Sequence, residues 1–206
     1  VGDLRQPGRF HYLITRGNRS SLLVRGAYVL AGFAVCLAAW WIAGLAEAGA
    51  ALPLLVVPTV LFALGTAGYT AFLFAQCEGR DLWQGRLLLP VLLSQTVVAG
   101  GAATMVLDLF LEVPEIVAVQ TMLAIGLGAN VVLVVVETRG RHSRHVTMAI
   151  ADLTLGAQRT RYLLWLFLVP VAYPLILLGG VPAALGGICA LIGLFAYEDA
   201  YVRAGQ

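Results

Sequence analysis

The chain contains no lysine: all thirteen of its basic residues are arginine, so chemistry that needs a lysine Schiff base is excluded. Charge of either sign is scarce. Only 12% of the 206 residues are charged against 60% hydrophobic, and the mean hydropathy is +0.89, which excludes a soluble globular domain. The three cysteines, Cys36, Cys77 and Cys189, are far apart and form no C-x-x-C, so neither a disulfide framework nor a cysteine-ligated cluster is expected. They read as small buried hydrophobes. Histidine is equally sparse. His11, His142 and His145 all fall in connections, whereas a diheme cytochrome b projects paired histidines from its spanning helices; we expect no heme and no metal in this chain. His142 and His145 stand three apart, a spacing that could chelate a metal, but solvated loop residues are the plainer reading. Val1 to Arg25 is polar and basic without an apolar core, so it is not a cleavable signal peptide. A start without methionine, inside what reads as a loop, leads us to expect a fragment.

What the chain does have is six apolar runs, each near the roughly 20 residues a helix needs to cross about 30 Å of hydrocarbon. They are Leu22 to Leu45, Leu52 to Gln76, Leu87 to Leu107, Ile116 to Val136, Tyr162 to Leu178 and Ala183 to Val202. The fold class is therefore an all-α integral membrane protein with six transmembrane helices, and residues 1–206 read as one transmembrane domain. Residues 1–21 form a basic juxtamembrane loop, with a short interfacial helix expected around Arg9 to Thr15. Its arginines alternate with aromatics, which fits lipid head groups or an acidic partner subunit better than nucleic acid. Residues 137–161 form a second basic loop, in which Val146 to Leu155 could lie as a short amphipathic helix. Trp40, Trp41, Trp83, Tyr162, Trp165, Tyr197 and Tyr201 cluster near span ends and read as interfacial belts.

The connections alternate in charge. Those around Glu47, around Asp108, Glu112 and Glu115, and at Gly179 to Pro182 hold no arginine; every arginine falls on the other side. The positive-inside rule then puts the arginine face in the cytoplasm, in a cell inner (plasma) membrane. Pro58, Pro90, Pro170 and Pro174 lie within spans, and small residues recur at Gly65/Gly68, Ala99 to Ala103, Gly126/Gly128 and Gly186/Gly187, where helix backbones can approach closely.

Polar groups inside the spans are few: Thr66, Tyr69, Thr70, Ser94, Gln95, Thr96, Thr104, Gln120, Thr121, Asn130 and Tyr173. Most are expected to bond across helices. The stretch Gly65 to Gln76 stands out, because Thr66, Tyr69, Thr70, Leu73 and Gln76 share one side of a helix and lead from mid-membrane to the arginine surface. That line is a candidate quinone pocket. Asn130 falls at a similar depth, about two turns before Glu137. No acid falls in mid-membrane, and for Glu137, Glu198 and Asp199 two readings stand: a salt bridge to loop arginines, or proton delivery to a quinone. His11 adjoins the entry to the first span, where it could reach a quinone from the surface.

At this point the residues resemble a known family. Asp3-Leu4-Arg5-Gln6-Pro7-Gly8-Arg9-Phe10 looks like a D-L-G-R-P-x-R-F loop, and Gly68-Tyr69-Thr70-Ala71-Phe72-Leu73 is similar to a G-Y-T-G-x-L helix, with Ala71 in place of a glycine. Leu82-Trp83-Gln84 and the closing run from Tyr197 to Ala204-Gly205-Gln206 extend the likeness. Together they resemble the NrfD/PsrC-like (polysulfide reductase membrane subunit) family. The resemblance implies part of an eight-or-more-helix bundle, with two helices before Asp3, and a quinone-contacting tyrosine at Tyr69. It further implies menaquinone or ubiquinone as cofactor, a docked iron–sulfur electron-transfer subunit and a catalytic, often molybdopterin, subunit. The candidate site residues are therefore Tyr69, His11, Asn130, Thr66 and Glu137. The first reading is a heme-free, quinone-reactive membrane anchor of an oxidoreductase, not catalytic alone; a small secondary transporter and a purely structural anchor are the alternatives. A transporter would need a midplane site between broken helices, and only Pro170/Pro174 hints at one.

Overall fold

The structure is a computed structural model that describes Tyr12, Gly17, Asn18 and residues 20–206. The basic loop that holds Asp3 to Phe10 and His11, and the interfacial helix expected around Arg9 to Thr15, lie outside the described residues except for Tyr12. Every regular element among the described residues is helical: α1 (Leu22–Leu45), α2 (Leu52–Phe74), α3 (Leu88–Leu111), α4 (Ile116–Arg139), α5 (Arg144–Thr154), α6 (Arg159–Leu177) and α7 (Gly180–Ala204), with 3-10 turns at Gly49–Ala51 and Asp81–Gln84. Six of these are long and apolar enough to cross a membrane, which makes the chain an all-α, multi-pass membrane protein. The expected amphipathic helix in the second basic loop is α5. Ser143 caps it by accepting from Val146 N, and Ile150 and Leu153 form its buried side.

The chain divides into two compact units, residues 1–76 and 77–206. The first is a helical hairpin. Pro53 sits at the start of α2, where its missing N–H costs nothing, and the helix runs on through Pro58. Small residues on each helix receive side chains from the other: the Tyr69 ring lies against Gly26, Phe62 against Gly32 and Val29 against Gly65. Trp40 Nε1 donates to Thr59 Oγ1 at 2.9 Å and closes the hairpin at the other end. Helix α2 ends at Phe74, so Gln76 lies past it and does not complete the polar line read from the sequence.

The second unit is a four-helix bundle of α3, α4, α6 and α7 with α5 across one end. Neighbours run antiparallel, as contacts along each pair show. Gly101 meets Leu123 and Gly126 meets Val97 between α3 and α4; Gly186 meets Ile176 and Gly193 meets Val169 between α6 and α7; Gly187 meets Ala102 between α3 and α7. Gln120 Nε2 donates to Ile176 O and ties α4 to the last turn of α6. Gly100 and Gly128 have open space around them, so close packing does not account for every small residue. Glu112 and Glu115, with φ of 44° and 56°, make the tight reversal between α3 and α4, and Asp108 accepts from Val113 N to hold it. Helix α6 continues through Pro170 and Pro174, both exposed on its outer side, so the break that a transporter site would need does not occur there.

Two expectations need correction. Trp41 is exposed as a belt residue would be, but Trp83, Trp165, Tyr197 and Tyr201 are buried inside the second unit. The cross-helix bonds expected of the intramembrane polar groups form at Gln120 and Asn130. Thr96, Thr104 and Thr121 instead donate to carbonyls of their own helices, a bond available whatever the neighbours.

Candidate functional site

Each unit sets polar side chains that lack partners among the described residues into apolar surroundings. In the hairpin the place is the Thr66 and Tyr69 face of α2. A helical threonine ordinarily satisfies its hydroxyl on the carbonyl four residues back. Thr59, Thr96, Thr104, Thr121, Thr138, Thr147 and Thr154 all do so, at 2.6–3.0 Å. Thr66 does not: its Oγ1 is buried and has no partner among the described residues. Tyr69, the next turn on, is half-buried with its ring held against Gly26, where a Cβ would collide with it. No hydrogen bond among the described residues occupies its hydroxyl. A fixed phenol and a free hydroxyl thus share one side of an apolar helix, a donor pair suited to a carbonyl oxygen.

In the second unit the last turn of α4 turns Glu137 inward, 5% exposed. Tyr201 Oη, from α7, lies 2.8 Å from Leu82 O and 3.4 Å from Glu137 Oε1, while Glu137 Oε2 is buried without a partner. Gly85 leaves room beside the carboxyl, since a Cβ there would come to 3.0 Å from Glu137 Oε1. His142 Nε2 bonds Glu137 O and closes the end of α4, so that ring nitrogen is engaged by the backbone. Rings then follow one another away from the carboxyl: Tyr201 to Tyr197 at 5.9 Å, Tyr197 to Trp165 at 5.2 Å and Trp165 to Tyr162 at 5.6 Å. Tyr197 Oη and Trp165 Nε1 are also buried without partners.

The salt bridge considered for Glu137 does not form among the described residues, whereas the one considered for Asp199 does. Asp199 takes Arg161 at 2.6 Å and Arg203 at 2.9 Å. Asn130 is buried about two turns back along α4, with Val134 between it and Glu137. It donates to Ser94 Oγ at 3.1 Å, and Ser94 donates to Val91 O at 2.7 Å. Gln95 Oε1, next to Ser94 in sequence, is buried without a partner. Among the described residues no group of three His, Cys, Asp or Glu side chains could hold a metal ion. No disulfide joins the three cysteines; Cys36 is buried and the other two partly so.

Of the residues singled out from sequence, Thr66 and Tyr69 therefore share a face of the hairpin, and Asn130 and Glu137 share the inner face of α4. His11 lies outside the described residues. Tyr197, Tyr201 and Trp165 were missed, because their places near span ends match those of belt aromatics. One signal could have found two of them. Ala183, Ala190 and Tyr197, like Gly187, Leu194 and Tyr201, recur every seven residues, so both tyrosines continue the stripe of small residues that faces the bundle core.

A comparison with known protein families matches residues 1–197 of the chain to the family described as "Polysulphide reductase, NrfD". No curated protein and no solved structure matches the chain.

Proposed function

The chain belongs to the polysulphide reductase NrfD family of membrane subunits of quinone-linked oxidoreductases, and from that premise we propose the site through which it meets quinone. In this reading Tyr69, with Thr66 beside it, donates hydrogen bonds to a carbonyl oxygen of menaquinone or ubiquinone. A docked iron–sulfur subunit exchanges electrons with that quinone, and a catalytic subunit completes the complex. The observation that carries the reading is the hydroxyl pair itself. Seven helical threonines satisfy themselves on their own backbone, while Thr66, one turn before Tyr69 and with its Oγ1 buried, has no partner among the described residues. An unmet hydroxyl in hydrocarbon is costly, by roughly 1–3 kcal/mol, and a polar ligand removes that cost.

Quinone reduction consumes two protons with two electrons, so a proton-exchanging carboxyl belongs with it. Glu137 has that role in our reading: it is buried, with the Tyr201 hydroxyl 3.4 Å from one carboxyl oxygen and the other without a partner among the described residues. His11 and Asn130 remain candidates on depth along the sequence alone. The alternation of arginine along the connections supports docking of the partner on a cytoplasmic arginine face of the plasma membrane, and an acidic partner would be steered there.

Tyr69→Phe, made in the intact complex, tests the site. Loss of one ligand hydrogen bond, about 1.4 kcal/mol, is expected to slow quinone-linked turnover about tenfold with artificial-dye activity intact. Unchanged quinone turnover would leave Tyr69 outside the pocket. Orientation is tested separately, by placing cysteines at Arg141 and Arg203 and applying a membrane-impermeant label to intact cells. Ready labelling would put the arginine face outside.

A further inference from the structure

Among the described residues, Glu137 Oε2, Tyr197 Oη and Trp165 Nε1 are buried without partners and belong to one row of side chains in the second unit. Their residues are 5%, 1% and 0% exposed. Tyr197 stands between the other two, its ring 5.2 Å from that of Trp165 and 5.9 Å from that of Tyr201, whose hydroxyl reaches the Glu137 carboxyl. Native interiors rarely leave one such atom unpaired, and three along one row of neighbouring side chains call for a partner.

We propose that the second unit holds a buried water site that joins Glu137, Tyr197 and Trp165. The chemistry of the three groups is complementary to water. The indole N–H can only donate, the phenol donates and accepts, and the carboxyl oxygen accepts, so a water can take the Trp165 proton and give its own to the other two. Between two and four polar partners is what a buried water needs. A quinone ring is the competing occupant, and the spacing disfavours it: rings already succeeding one another at 5.2 and 5.9 Å offer no slot for another. Among the described residues no ion pair serves Glu137 instead. Arg161 and Arg203 are held by Asp199, and His142 Nε2 is held by the Glu137 backbone carbonyl.

The site solvates a carboxyl that its bundle leaves half satisfied, and gives its proton somewhere to go. It rests on the packing of this unit alone and stands whether or not Tyr69 contacts quinone.

Radiolytic hydroxyl footprinting of the intact complex in lipid nanodiscs, prepared in oxygen-18 water and read by mass spectrometry, tests it. Ionised bound water attacks the side chains beside it even where bulk solvent has no access. Met105, 3% exposed and intrinsically more reactive than tyrosine or tryptophan, is the internal control. We expect Tyr197 and Trp165 to take up oxygen-18 several-fold faster than Met105. Rates no greater than that of Met105 overturn the proposal, as does exclusive protection by added quinone, which would make the occupant a quinone. A second arm uses Tyr197→Phe in complexes of unchanged subunit composition. Labelling of Trp165 should fall several-fold, and labelling that stays at the wild-type rate would mean that Tyr197 holds no water. Neither arm reads turnover, so the outcome is independent of the Tyr69 test.

Discussion

The hairpin and the bundle solve the same problem, apolar helices in a membrane, with opposite economies of burial. Helix α2 buries only Gly68 and Ala71, whereas α7 buries eleven residues from Ala183 to Tyr201. The hairpin is a pair of helices locked by side chains set against glycines, with little core of its own. The bundle has its own core. A polar group therefore means different things in the two. On α2 a buried, unpaired hydroxyl sits one turn from a half-buried phenol; in the bundle an unpaired carboxyl oxygen or indole N–H must be met from inside. The Thr66 and Tyr69 face reads as a ligand contact, and the Glu137 cluster as an internal proton site.

The sharpest way to break that contrast is to crowd each unit in turn. A Cβ on Gly187 would press within 2.7 Å of the Ala102 carbonyl, which is backbone and cannot yield. Gly187→Val should cost about 3 kcal/mol or more and reduce the amount of assembled complex in membranes. At Gly32 the obstacle is the Phe62 side chain, which can rotate, so Gly32→Ala should cost clearly less. Equal losses by thermal unfolding of the two variants would remove the distinction between a packed bundle and an adaptable hairpin.

Next in size is Glu137→Gln. It preserves the shape and the contact to Tyr201 but removes the exchangeable proton, and general acid–base roles are worth about 10²-fold or more. Quinone-linked turnover should fall by about that factor while dye activity and assembly persist. If dye activity falls equally, the carboxyl supports structure and not proton exchange.

Smaller effects belong to the periphery of the bundle. Ser143→Ala removes the cap of α5; with the bond at 3.4 Å, the loss should fall near the low end of the usual range, about 0.5 kcal/mol. Asp199→Ala breaks two ion pairs whose arginine side chains are 41% and 52% exposed. It should change stability by well under about 1 kcal/mol and less still at high salt. A large loss at Asp199 would mean that the arginine face is buried in the complex, against a partner subunit.

Much of the fold was legible because its cause is local. Six spans follow from the length of apolar runs, and five of the six begin or end within three residues of the expected limits at both ends; the exception, α3, runs on to Leu111. The amphipathic α5 was legible for the same reason. Thr66 and Tyr69 could be placed on one face by counting residues. That Thr66 declines the bond its fellow threonines make could not, since both side-chain rotamers suit the same sequence. For Glu137 the sequence left both readings open, a salt bridge as the plainer one and a proton site as the alternative.

By itself, the sequence determined that this is an all-α membrane protein, where its helices lie, and that its arginines keep to one set of connections. Composition and period suffice for that, because hydrocarbon demands unbroken apolar helices of one length. Only the tertiary structure decided which aromatics are anchors and which are core. Trp165, Tyr197 and Tyr201 stand near span ends exactly as belt residues do, and what separates them from Trp41 is the presence of neighbouring helices on every side. It also decided the partner of Glu137. The choice between an arginine and a phenol depends on which atoms reach a carboxyl across 64 residues of chain, and no local pattern carries that.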